Sequence, residues 1–321
     1  VKAKKPSLPE WRRAQQDMGL WRLYKLATGD DSAAGIEFED QSHLRMRENA
    51  LLVIYGASAA RSRSSRREKT RVVLEKGTLR GGLAALEAKT SPKPAKKEPP
   101  RLEVQTPSAT IDMASTDAQV EVTEEKTSVV SVYEGKAAVK AQGVTVEVPK
   151  DHGTFVENKK APAPPRPLPP PPTWESEDDL AILVPRGRLG GFEARWGLAK
   201  RAKRYRLEVA RDVRFRQVLV DATVGAGVRK FAARELKPGS YFARVSSIDG
   251  HRLEGRASKV RAVQIMEVES SRLMAADNDV WEIVGLVRLG LTSAQAVDLE
   301  WALGDQPFTA ATEPIRVGKP G

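Results

Sequence analysis

The side chains best suited to acid–base or metal chemistry are few and far apart. The histidines are His43, His152 and His251, about a hundred residues from one another and each in or beside a candidate turn. No HxxxH, HxH or paired-carboxylate setting surrounds them, so neither a metal site nor a general base is assigned. Ser58, in Gly56-Ala57-Ser58-Ala59-Ala60, lacks the closing glycine of a nucleophile elbow. Gly225-Ala226-Gly227 lacks the third glycine and the following helix of a phosphate-binding loop. Glu175, Glu177, Asp178 and Asp179 form an acidic cluster without the glycine and spacing of a calcium loop. Cysteine is absent, which removes disulfides, thiolate zinc and thiol catalysis together. The expectation is a protein with no catalytic residue, no cofactor and no metal.

What remains is positive charge. The 321 residues carry a net charge of +11, and Arg61, Arg63, Arg66, Arg67, Lys69 and Arg71 face Glu68 alone among interleaved serines. A loop of this kind suits the phosphates or carboxylates of an anionic polymer, or an acidic protein partner. Nucleic acid is the alternative, bound through its phosphates without specificity, because no aromatic side chains interleave to stack on bases and no helix is placed for a groove. Solubility alone also accounts for such charge.

The elements that would carry these residues are strands. In residues 35–53, Ile36 and Phe38 alternate with glutamates, a turn follows at Asp40-Gln41-Ser42, and Leu44 and Met46 resume against Arg45 and Arg47. The same period of two returns around Val104, Ile111, Val120, Val130 and Val146. Short strands at roughly ten-residue spacing predict an all-β, antiparallel fold. Helical spacing is confined to residues 11–16 and 78–89, the second weakened by Gly81-Gly82.

Two seams divide the chain, whose length exceeds that of a usual single core. Residues 162–172 contain eight prolines, which predict a polyproline II spacer of roughly 30 to 35 Å holding two halves apart. Residues 89–101, with four prolines among lysines, read as an exposed insertion. No run of apolar residues is long enough for a membrane helix, and the opening Val1 leaves an upstream signal or anchor open.

Several short runs in the first half are similar to the FecR family in the same order. They are Leu26-Ala27-Thr28-Gly29-Asp30, Ser32-Ala33-Ala34-Gly35-Ile36, Arg47-Glu48-Asn49-Ala50-Leu51, Leu74-Glu75-Lys76-Gly77, Val104 to Ala109 and Val132 to Val139. The chain departs from the family pattern at Gln41 and at Ala114-Ser115-Thr116. The resemblance implies a β domain over residues 1–160 and a bacterial envelope or periplasmic location.

Beyond the linker at 161–173, the second half resembles a fibronectin type III or immunoglobulin-like sandwich over residues 174–267. Trp196 would be its core tryptophan, Leu236-Lys237-Pro238-Gly239-Ser240-Tyr241 its corner and Asp249-Gly250-His251 its last hairpin turn. Arg204, Arg206 and Glu208 alternate with Tyr205, Leu207 and Val209, and read as the solvated face of a strand. Residues 268–321 look like a partial further immunoglobulin-like segment, a fragment unless Trp281 and Trp301 pack into the preceding sheet. The expected function is that of a non-catalytic envelope interaction, scaffold or signal-receiving protein, with a basic nucleic-acid-associated protein as the alternative.

Overall fold

A computed structural model describes residues 1–30, 32–38, 42–59, 68–82, 101–176 and 179–270, with short pieces at 273–275, 281–283, 287–290, 300–301 and 309–310. The fold is all-β. The first half contributes β1 (Lys2–Lys4), β2 (Arg12–Arg13), β3 (Lys25–Ala27), β4 (Ala34–Glu37), β5 (His43–Met46), β6 (Leu51–Ala59) and β7 (Glu68–Gly82). It continues through β8 (Arg101–Gln105), β9 (Thr110–Val122), β10 (Ser128–Ala141), β11 (Val144–Pro149), β12 (His152–Val156) and β13 (Arg166–Pro167). These 13 strands form one hydrogen-bonded sheet, along which β13-β12-β10-β9-β8-β7-β6-β3-β1-β2 run in order.

The predicted alternation holds. Ile36, Leu44, Met46, Leu52, Val72, Leu74, Leu102, Ile111, Val120, Val130 and Val139 all point into one core. The helix expected from Thr78 onward is instead the end of β7. Residues 78–82 pair with β9 along one edge, and 79–82 with β5 along the other, a double ladder that only extended backbone supplies. Gly77, inside β7, lets the strand approach β6 closely: its φ is +86°, and a Cβ there would lie 2.5 Å from Cα of Ala50. Arg12 and Arg13, expected in a helix, form the edge strand β2.

The second half begins with β14 (Leu180–Pro185), β15 (Gly190–Arg195), β16 (Arg204–Ala210), β17 (Val218–Gly225) and β18 (Lys230–Leu236). It goes on to β19 (Gly239–Ile248), β20 (Glu254–Ala257), β21 (Arg261–Ser270), β22 (Leu273–Ala275), β23 (Trp281–Ile283) and β24 (Val287–Gly290). A sheet ordered β14-β21-β19-β16-β17 faces the pair β15-β18 across a core of Trp196, Tyr205, Leu207, Val209, Tyr241 and Ile265. Trp196 is fully buried, edge-on to Trp174 and Tyr205 at 6.3 and 5.6 Å. Tyr241 is buried as well, and its hydroxyl donates to the carbonyl of Lys237 at 2.5 Å, fixing the corner before β19. β14 joins β21 in parallel, a strand that the alternation did not announce.

The proline segment does not hold the halves apart. β13 pairs with β12, and the amide of Leu168 donates to Asp151 O at 2.9 Å. Further along, Arg201 donates to the carbonyls of Pro167 and Leu168 at 3.0 and 2.6 Å, and Ser247 donates to that of Pro170. Proline lacks an amide donor but keeps its carbonyl, so a run of prolines presents acceptors that the second half's donors can reach. Gly255 lies so close that a Cβ would sit 2.1 Å from Pro169 O.

In the last part of the chain, β24 adds to β21 and so extends the second sheet. β22 pairs with β23, and β25 (Glu300–Trp301) pairs with β26 (Thr309–Ala310), each as a separate short hairpin. The side chains of Trp281 and Trp301, on which the fragment expectation turns, lie outside the described residues.

Candidate functional site

Among the described residues, the greatest concentration of buried charge lies where the two sheets meet. On the first sheet, β5 presents Arg45, the residue just after it is Arg47, and β9 presents Gln119. On the second sheet, β16 presents Arg206 and Glu208, β17 Asp221, β19 Arg244 and Ser246, and β20 Glu254. The register aligns them: Glu208 stands directly opposite both Arg244 and Asp221. Residues one place on from the apolar set of β16 therefore face the first sheet rather than water. The solvated face expected for β16 is corrected accordingly: Arg206 and Glu208 are 2% and 4% exposed, as a neighbouring sheet covers them.

The contacts interlock across the seam. Arg47 donates to Glu254 at 2.9 Å and to Gln119 Oε1 at 2.7 Å, and Gln119 Nε2 donates to Glu254 at 3.0 Å. Ser246 adds a bond to Glu254 at 2.7 Å, and Ser131 Oγ accepts the amide of Glu254 at 3.2 Å. Arg244 donates to Glu208 at 2.6 Å, Arg45 reaches the same carboxylate at 3.4 Å, and Arg206 pairs with Asp221. Arg45 also donates to Phe215 O at 2.6 Å, and Arg244 stacks 3.9 Å above that phenyl ring. The loop presenting Phe215 is held by Asp212, which accepts the amides of Arg214, Arg216 and Gln217.

Four guanidinium groups thus meet three carboxylates in a largely buried seam. Burial pushes the Glu208 carboxyl up, but Arg206, Arg244 and Arg45 outweigh it and hold it below the usual carboxylate range. Burial also acts to lower Arg206, whereas Glu208, Glu254 and Asp221 raise it, with the net shift upward. For Arg45 burial prevails and the shift is downward. Beside this network Tyr133, buried with Val129, Leu168 and Leu253, has its phenol pushed well above its ordinary value by burial, with the Glu254 charge adding to it.

A second ring of contacts flanks the network. Arg252 pairs with Glu121, and Arg256 with Asp151 and Glu134. His251 stacks on Phe155 at 4.8 Å and meets Arg166 at 2.6 Å. Such geometry can clamp two sheets together; its carboxylates are already engaged by arginines and amides.

Of the residues singled out from sequence, only some lie among the described residues. Arg61, Arg63, Arg66 and Arg67, and the side chain of Lys69, lie outside the described residues. Arg71, on β7, pairs with Glu103 at 2.6 Å. The histidines are not brought together: His43 sits on β5 against Gly82, His152 Nδ1 lies 2.9 Å from Lys150 O, and His251 is in the seam. Of the acidic cluster, Asp179 accepts the amide of Ala262. The seam itself escaped sequence reasoning, although arginine rather than lysine at positions 45, 47, 206 and 244 is a signal for planar, multiply bonded ion pairs.

Comparison with known proteins bears on the first sheet. The family profile described as FecR protein matches residues 24–138, from just before β3 into β10. A search of curated proteins found no match. Among solved structures, a protein assigned as an anti-sigma factor from Parabacteroides distasonis is 11% identical with a TM-score of 0.34, over 50% of this chain and 78% of that one. The FN1–FN3 domains of chicken CNTN1 are 11% identical with a TM-score of 0.25, over 74% and 98%. The extracellular domain of a hybrid two-component system from B. thetaiotaomicron is 10% identical with a TM-score of 0.22, over 72% and 36%. The order of short motifs, the strand succession and the family match agree over residues 24–138, which are similar to the FecR family.

Proposed function

We propose that this chain is a non-catalytic, signal-receiving or scaffolding module of the bacterial envelope, exposed to the periplasm, in which the FecR domain and the sandwich act as one rigid unit. The domains we propose are 1–160, a connecting strap at 161–173, the sandwich at 174–267 and an extension at 268–321. The observation that carries the reading is the buried seam, in which Glu254 is bound by Arg47 and Gln119 of the FecR domain at 2.9 and 3.0 Å. A charge buried on both sides of a junction is strongly destabilising when one partner leaves, so the junction resists opening and the two sheets behave as one unit.

An envelope polyanion or an acidic protein is the partner this reading implies, and its test is retention. The intact chain is incubated with purified sacculi, with lipopolysaccharide and with duplex DNA over a range of salt. Retention on an envelope polymer that exceeds DNA binding at physiological salt supports the reading. Tighter DNA binding with a steep salt slope overturns it in favour of a nucleic-acid-associated protein.

A further inference from the structure

We propose that the edge of the first sheet built from β1, β2 and the turn before β3 is a docking surface for an anionic lipid bilayer. The inference rests on the envelope reading and names the surface that would meet the envelope. Residues 1–27 hold seven cations, Lys2, Lys4, Lys5, Arg12, Arg13, Arg22 and Lys25, against Glu10 and Asp17. Unlike the arginines of the seam, Lys2, Lys4, Arg12, Arg13 and Arg22 form no ion pair among the described residues. The same edge exposes aromatic surface: Trp21 is 70% exposed and Trp11 39%, whereas Trp174 and Trp196 are buried.

The register draws these side chains to one end of the sheet. Lys4 stands opposite Lys25, which stands opposite Val53. Arg12 stands opposite Ala3, so Trp11 comes beside Lys4 at the outer edge. The turn of Trp21, Arg22 and Leu23 leads through the buried Tyr24 into Lys25, and Leu23 N donates to Ile54 O at 2.5 Å, which seats the turn next to the exposed Tyr55. Leu23, itself 39% exposed, is held there at φ +66°. A branched apolar residue rarely takes that conformation, and here the turn keeps it facing solvent.

Indole and phenol rings settle at the headgroup level of a bilayer, where the ring is apolar and its edge polar, and neighbouring lysines and arginines meet anionic headgroups. A basic edge on which Lys25 alone of these cations meets a carboxylate among the described residues, that of Glu75 at 3.7 Å, and which is studded with Trp11, Trp21 and Tyr55, matches that pattern. A polyanion without rings or acyl chains, such as a polyphosphate, would use the cations and leave the tryptophans without a role.

The test is co-sedimentation of the intact chain with phosphatidylcholine vesicles and with vesicles containing about half phosphatidylglycerol. Binding at least tenfold greater to the anionic vesicles, weakened by salt and reduced about tenfold in Trp11→Ala/Trp21→Ala, is expected. Lys4→Glu/Arg13→Glu should do the same. Thermal unfolding checks that each variant folds; if the double tryptophan variant does not, the highly exposed Trp21→Ala alone is read, with a loss of at least threefold expected. Equal binding to both vesicle types, binding that survives the substitutions, or displacement from vesicles by a soluble polyanion with the tryptophan variants unaffected would overturn the proposal. Because no sacculi, lipopolysaccharide or DNA enter this measurement, its failure is distinguishable from failure of the envelope reading.

Discussion

At the scale of single residues, the two cores and the seam make opposite demands. Trp196 contributes area, and its removal should cost about 3 to 5 kcal/mol, whereas Arg204→Ala, at a half-buried position on the flank of β16, should stay within about 0.5 kcal/mol. Chemical denaturation of the two variants checks this, and equal effects would mean that the register of β16 is wrong. Glu254 contributes a charge that its neighbours need. Glu254→Ala should cost on the order of 3 to 5 kcal/mol because Arg47 and Arg206 are then buried without it, and a double-mutant cycle with Arg47→Ala should return a coupling well above that of the exposed pair Lys136–Glu147. The pH dependence follows from Glu208, whose proton affinity is lowered by folding. Its contribution is complete above the ordinary glutamate value near 4.3 and disappears as pH falls through the lower folded-state value. Glu208→Gln should flatten the acid limb of the stability curve, and an unchanged limb would remove Glu208 from the account.

At the scale of elements, the proline strap is held by acceptors rather than donors, and its fit depends on a glycine. Gly255→Ala would place a methyl carbon 2.1 Å from the carbonyl oxygen of Pro169 and 3.1 Å from its carbon, and backbone atoms on both sides must shift. The expected cost is roughly 1 to 3 kcal/mol, together with faster proteolysis within residues 161–173. Gly225→Ala, where nothing lies within 4 Å, is the control and should be near neutral. β7 teaches the same lesson about context: Leu79, Leu83 and Leu86 are spaced for a helix face, yet the ladders from β5 and β9 hold Thr78 to Gly82 extended. Tertiary pairing overrides local propensity when both edges of a segment are claimed.

At the scale of the whole molecule, the seam and the strap predict that the halves unfold together. Near-UV circular dichroism of the intact chain should report one cooperative thermal transition, and Arg47→Met/Gln119→Met should separate it into two or lower it markedly. Two transitions in the unaltered chain would mean that the halves are independent and that the clamp transmits nothing.

Sequence by itself determined the all-β class, the inward-facing residues of β5, β9, β10 and β16, the tyrosine corner at Tyr241 and the FecR resemblance, because period-two alternation and short turn motifs are local and survive without knowledge of partners. It also located the proline run. Only the tertiary structure decided what those prolines face, and only it revealed that the charged side of β16 is covered. Alternation states which residues share a face of a strand, not whether water or a second sheet lies beyond that face. Arg206 and Glu208 have the same spacing in either case, and the difference rests on Arg45, Arg47 and Gln119, more than seventy residues away in the chain.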